Sequence, residues 1–145
     1  MNHANGPLDL LTTNSKTIKL WKVCSIKHRR YAKSRKGVVA VPKVSAVEEE
    51  IGAKERKQYS NGHDHSITHL SFSRDCMNFL SACDTRICLW DLEVTNTAYN
   101  LIDIKPEKAE DLDEVLTSAT FSKHDPNQFL VTSSKGSVGL FDLRL

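Results

Sequence analysis

Ser81 to Leu92 reads SACDTRICLWDL, and two other stretches repeat its grammar: TTNSKTIKLWKV at Thr12 to Val23 and TSSKGSVGLFDL at Thr132 to Leu143. The three align without a gap. Each has small residues, a polar turn, then a β-branched residue, one further residue, Leu and an aromatic. Ile18 and Leu20, Ile87 and Leu89, and Val138 and Leu140 alternate at period two, which places each pair on one face of a strand. Each stretch therefore predicts two short strands joined by a tight turn.

The second copy has more sequence of the same kind around it. Gly62 and His63 stand upstream, followed by ITHLSFS, with apolar positions at Ile67, Leu70 and Phe72, a turn at Arg74 and Asp75, and RDCMNFL leading into the next strand. The third copy repeats this with SATFS, a turn at His124 to Asn127, and FLVTSS. A Gly and His pair that opens a segment, closed by Trp90 and Asp91 after three strands, is the blade signature of a WD-repeat β-propeller. Trp21 and the Phe141 and Asp142 pair mark the other two copies. The fold class expected is all-β, a partial WD-repeat propeller of about two and a half blades of antiparallel sheet.

Trp21 and Trp90 lie 69 residues apart, and Trp90 and Phe141 lie 51 apart, against about 40 to 45 for a plain blade. Both intervals carry insertions. The first holds the basic run KHRRYAKSRK and the segment VSAVEEEIGAKERKQY; the second holds DIKPEKAEDLDEV. Glu107 to Glu114 reads as a short amphipathic helix with a solvated acidic face. The chain divides as one partial propeller segment over 1–145: the end of a blade with an inserted basic arm at 8–59, a central blade at 60–100, and an insertion with a third blade at 101–145. A propeller needs about four to eight blades to close, so a fragment of a longer protein or a truncated gene product is expected.

Composition narrows the function. Twenty basic against 18 acidic residues give a net charge of +2 over 145 residues, so no whole-molecule field selects nucleic acid or an anionic membrane. No apolar run approaches the roughly 18 residues that span a bilayer, and MNHANGPLDL lacks the layout of a secretory signal. Cys24, Cys76, Cys83 and Cys88 have no Cys-x-x-Cys spacing and read as reduced thiols. The expected setting is the cytoplasm, with the nucleus as a second compartment.

His63, His65 and His69 offer a metal reading, but no cysteine or carboxylate pair stands at a ligand spacing; no metal and no cofactor are expected. No phosphate loop, nucleophile elbow or zinc-protease helix is present, so no catalytic residue is assigned. Lys27, Arg29, Arg30, Lys33, Arg35 and Lys36 make six cations in ten residues. They read as a nuclear localisation signal, as a phosphate-binding patch, or as a solvated hairpin arm neutralised by Glu48, Glu49 and Glu50. Tyr31 is the one aromatic there for base stacking, and no nucleic-acid partner is expected.

The sequence resembles the B-type, fifty-five-kilodalton regulatory subunits of protein phosphatase 2A, which are seven-bladed WD-repeat propellers. The matching stretches are TTNSKTIKLWKV, AVPKV around Pro42, NGHDHSITHLSFSRD, FLSACDTRICLWDLEVTNTAYNLIDIKPEKAEDLDEVLTSATF and SSKGSVGLFDLR. The most specific is LWDLEVTNTAYNLIDIKP followed by EDLDEV, because it enters an insertion the generic repeat lacks. The resemblance implies a non-catalytic subunit that docks on the phosphatase scaffold and catalytic subunits and presents phosphoprotein substrates, with no membrane partner. The alternative is a divergent WD-repeat interaction module, or a truncated product without phosphatase association.

The resemblance also assigns residues. The scaffold-gripping arm corresponds to Cys24 to Val41, shorter here than in the family, with Lys27, Arg29, Arg30, Tyr31, Lys33, Arg35 and Lys36 as its candidates. A substrate groove on the top face is implied, in which Asp84 matches a family aspartate. Thr85 stands where a leucine is usual, and His65 and Ser66 where a Tyr and His pair stands. Losing large apolar groups at two of these four positions weakens such a groove. Asp84 also has a structural reading: in a WD blade an aspartate six residues before the Trp accepts a hydrogen bond from the His of the Gly and His pair, here His63, while Ala82 removes the hydroxyl that completes the network.

Overall fold

The computed structural model describes residues 8–31 and 44–144. Among these described residues, ten strands form three antiparallel sheets. The first has the order β1-β2-β3, from Leu8–Asn14, Thr17–Tyr31 and Val44–Tyr59. The central sheet has the order β4-β5-β6-β7, from Ile67–Phe72, Asn78–Cys83, Arg86–Asp91 and Ala98–Asp103. The last holds β8, β9 and β10, from Leu116–Phe121, Gln128–Ser133 and Val138–Asp142. The chain divides into two compact units, Met1–Leu10 with Leu20–Arg56, and Leu11–Lys19 with Lys57–Leu145.

In the second unit, β5 explains why NFLSAC is an almost unbroken apolar run: it is buried on both faces. Leu80 and Ala82 point one way and, with Ile87, pack on Leu116, Ala119, Phe121, Phe129 and Val131 of the last sheet. Phe79, Ser81 and Cys83 point the other way, beside Trp90 and Tyr59. There the Tyr59 ring meets Phe79 edge-on at 5.0 Å and Trp90 at 5.7 Å, and the Tyr59 hydroxyl donates to the Leu92 carbonyl at 2.9 Å. Two successive antiparallel sheets packed face to face is the relation of adjacent propeller blades.

The exits of strands and turns share one device. Asp75, Asp91, Asp103, Asp125 and Asp142 each accept, on Oδ1, the backbone N–H two residues on, at 2.6 to 3.0 Å. This is the aspartate turn that mimics a backbone turn. The Asp of each Trp-Asp or Phe-Asp pair is thus a turn-former.

Two sequence expectations need correction. Glu107 to Glu114 forms no amphipathic helix; only a single 3-10 turn occurs, at Ala109–Asp111. A helix this short does not recover its nucleation cost, and Glu110, Asp111, Asp113 and Glu114 repel one another across it. The gapless match of the last hairpin to the central one also slips by one residue. Phe79 pairs with Trp90 and Ser81 with Cys88, whereas Phe129 pairs with Phe141 and Val131 with Gly139. The extra residue is absorbed in the last turn, where Gly136 takes φ +82°, a left-handed conformation suited to glycine. Val131, and not Thr132, therefore occupies the place of Ser81.

Candidate functional site

β2 carries only cationic charges, and the stretch Glu48 to Glu50 of β3 that faces them is acidic. Lys27 Nζ meets Glu49 at 3.0 Å, Arg30 meets Glu48 at 2.9 Å, and His28 lies 3.7 Å from Glu50. Of the arm candidates, Lys27 and Arg30 are thus engaged across the hairpin and Arg29 is exposed. Tyr31 ends β2; Lys33, Arg35 and Lys36 lie outside the described residues. Pairing removes much of the cationic field that a polyanion would need. Trp21 is half-buried in β2.

The central sheet holds a buried hydrogen-bonded triad. Trp90 Nε1 donates to Ser81 Oγ at 2.7 Å, and Ser81 Oγ lies 2.6 Å from His63 Nε2. All three side chains are buried. Ser81, two residues along β5 from the cross-strand neighbour of Trp90, supplies the hydroxyl that Ala82 was expected to have removed. The expected bond from His63 to Asp84 is absent: among the described residues His63 Nδ1 has no partner. Asp84 is exposed in the β5 to β6 turn, where its carboxylate prefers water to a buried ring. Gly62 completes the pocket, because any Cβ there would run into Trp90 Cζ2.

Burial, followed by the Arg86 charge, lowers the His63 pKa from the usual 6.5 to about 4. The unfolded chain therefore binds more protons than the folded one between pH 6.5 and 4. Stability is complete above pH 6.5 and falls as pH drops through that window. A loss of about 2 kcal/mol by pH 4 is expected in urea titrations, and His63→Gln flattens this dependence. Burial also pushes the Cys88 thiol up to about 11, so it stays protonated and unreactive.

Around this core three loops are tied together. Arg86 donates to Asp103 Oδ2 at 2.9 Å and to the Gly62 carbonyl at 3.4 Å, and Lys105 Nζ donates to Asp64 Oδ2 at 3.0 Å. The hydrogen bond and charge of Lys105 hold the Asp64 carboxyl below its usual range. The Asp84 carbonyl accepts from Leu116 N at 2.7 Å, and the Thr85 carbonyl from Ile104 N at 2.9 Å. Thr85 itself is buried. His65 and Ser66 are exposed on the neighbouring loop, where Ser66 Oγ lies 3.3 Å from Ser15 Oγ.

Beside Asp84 lies a cleft of about 170 Å³ lined by Ile102, Ile104, Leu116, Val131 and Phe141, with Glu114 at its side. Asp84 is exposed, while Asp64 is engaged by Lys105 and Asp113 by Lys135. A mainly apolar cleft with Glu114 in its wall and Asp84 nearby suits a segment carrying apolar side chains and a basic one. Ser81 was legible from strand parity across the turn, which puts it on the Trp90 face. Arg86, Asp103 and the cleft were not, since they depend on how separate loops meet. Among the described residues no group of three His, Cys, Asp or Glu side chains converges to hold a metal; His63 is buried, and His69 Nε2 lies 3.4 Å from Thr120 Oγ1.

The repeats, the sheet packing and the buried Trp, Ser and His triad define a WD-repeat propeller segment. Residues 54–91 match the WD domain, G-beta repeat family. The β-propeller domain of Cps50 (Swd1) from Myceliophteria thermophila superposes with a TM-score of 0.50 at 21% identity, over 83% of this chain and 39% of that one; the likeness is one of fold.

Sequence relatives are more particular. The chain is 38% identical over 148 residues to the serine/threonine-protein phosphatase 2A regulatory subunit sur-6 of Caenorhabditis elegans, covering 93% of this chain and 30% of that protein. It is 38% identical over 152 residues to the gamma isoform of the human serine/threonine-protein phosphatase 2A 55 kDa regulatory subunit, covering 97% and 34%. It is 40% identical over 148 residues to the Drosophila melanogaster PP2A 55 kDa regulatory subunit, covering 93% and 30%. These homologues are the regulatory subunits that the sequence resembles, and the chain spans about a third of their length.

Proposed function

We propose that the chain acts as a segment of a phosphatase 2A regulatory subunit, non-catalytic, contributing to substrate recognition and to assembly with the scaffold and catalytic subunits. The observation that carries this reading is homology over 93% to 97% of the chain to three such subunits. The geometry supports it in two places. Asp84 is exposed, with the apolar cleft beside it, which suits phosphoproteins with basic residues near the phosphosite. Thr85, buried under the Asp84 turn, supports it, and His65 and Ser66, exposed on the loop before β4, are the other groove candidates.

The arm supports a different kind of contact. With Lys27 and Arg30 occupied by glutamates, the groups it offers a helical scaffold are Val47 and Ile51, the latter 81% exposed. Apolar contacts of this kind set the lifetime of a complex more than its rate of formation. Under this reading the cytoplasm is the proposed compartment, with the nucleus as a second.

The test is capture of purified phosphatase scaffold and catalytic subunits on the immobilised chain. Retention of the scaffold, weakened at least tenfold by Ile51→Glu, is expected. No retention by a chain with a folded circular dichroism spectrum would overturn the reading and leave an interaction module without phosphatase association.

A further inference from the structure

The segment that leads into the central sheet is anchored on both sides of one residue. On the N-terminal side Tyr59 is buried, and its hydroxyl donates to the Leu92 carbonyl at 2.9 Å. On the C-terminal side the Gly62 carbonyl accepts from the Cys88 thiol at 3.4 Å, and His63 Nε2 lies 2.6 Å from Ser81 Oγ. Asn61 stands between these anchors, exposed, with φ +69°.

The fold makes a separate demand on each of two successive residues. A left-handed backbone at position 61 suits asparagine, whose short polar side chain tolerates that conformation. At position 62 any Cβ would run into the Trp90 ring, so only glycine fits. Together the two demands write Asn-Gly. In that pair the next backbone nitrogen attacks an asparagine amide most readily, because glycine puts no side chain in the way.

We infer that Asn61 is a modification site, converted in the folded chain to aspartate and isoaspartate without an enzyme. Hydroxide removes the Gly62 amide proton, and the nitrogen attacks Asn61 Cγ. A succinimide ring closes as the side-chain nitrogen takes up a proton and leaves as ammonia. Water then opens the ring. Attack at Cγ gives aspartate; attack at the Asn61 main-chain carbonyl gives isoaspartate, in which the backbone runs through Cβ and Cγ. In sum one amide and one water give one acid and ammonia, with no change of oxidation state.

The two products differ in what they do to the blade. Aspartate adds charge alone. Isoaspartate lengthens the main chain by one carbon between Tyr59 and Gly62, whose separation the anchors fix. Gly62 and His63 are displaced, and the Ser81 hydroxyl loses the ring nitrogen it is bonded to.

Storage of the purified chain in mildly alkaline buffer, followed by tryptic peptide mapping, tests this. Asn96, also exposed but followed by the β-branched Thr97, is the internal control for a hindered asparagine. Asn5 and Gly6, outside the described residues, repeat the pair and show that the conditions suffice. Aspartate and isoaspartate are expected at position 61 at least tenfold faster than at position 96. The acidic fraction that accumulates should unfold at lower urea than fresh Asn61→Asp, which carries the charge without the extra carbon. Asn61→Gly, which accepts the left-handed conformation and has no amide to lose, should show no such decline with time. Conversion at Asn5 with none at Asn61 overturns the inference, as does equal conversion at Asn61 and Asn96. An acidic fraction as stable as Asn61→Asp also overturns it, because the backbone change would then not reach the triad. None of these outcomes depends on phosphatase binding, so the two readings fail separately.

Discussion

Ser81→Val is expected to destabilise the second unit by about 3 kcal/mol, because it leaves the Trp90 N–H and the His63 ring nitrogen buried without their partner. The last sheet has already met this problem in another way. Where the central sheet has Ser81 and Trp90, it has Val131 and Phe141, an apolar pair with no donor to satisfy. Trp90→Phe alone costs about 2 kcal/mol through lost volume and an under-used hydroxyl. The double variant Ser81→Val with Trp90→Phe should lose at least 1 kcal/mol less than the sum of the two, since Trp90→Phe removes the indole N–H that Ser81→Val orphans, while the His63 nitrogen stays unpaired in both. Urea unfolding of the four proteins closes the cycle; strict additivity would mean that the hydroxyl does not serve the indole.

Phe129→Ala should cost about 3 to 4 kcal/mol. Phe129 is almost fully buried, stacks on Phe141 at 5.4 Å and meets Phe121 edge-on at 6.3 Å. It lies in the layer that joins the central and last sheets, so its loss acts on their junction more than on either sheet. Hydrogen exchange is expected to show β8, β9 and β10 losing protection while β5 and β6 retain theirs. Uniform loss across both sheets would mean that they unfold as one unit.

The three hairpins and the central three-strand pattern were legible because a period of two and the aspartate turns are local properties of the chain. The resemblance to phosphatase regulatory subunits was legible for the same reason, in contiguous stretches such as LWDLEVTNTAYNLIDIKP. What failed was longer in range or depended on counting. The extra residue in the last turn is invisible until strands pair, so Thr132 was aligned where Val131 belongs. The acidic insertion has helical spacing at Leu112, Val115 and Leu116, yet Leu116 N bonds the Asp84 carbonyl and draws that end into β8. Asp84 itself was assigned to His63 by the pattern of the repeat, whereas the ring is held by Ser81.

The aspartate turns carry a consequence for how such a chain can be inherited. Each turn is closed within three residues by its own side chain and asks nothing of distant sequence. A stretch bounded by these turns can be copied, lengthened or moved next to a new neighbour, and its strands will still begin and end in the right places. Punctuation that travels with the phrase lets a repeat array change its length without relearning its grammar.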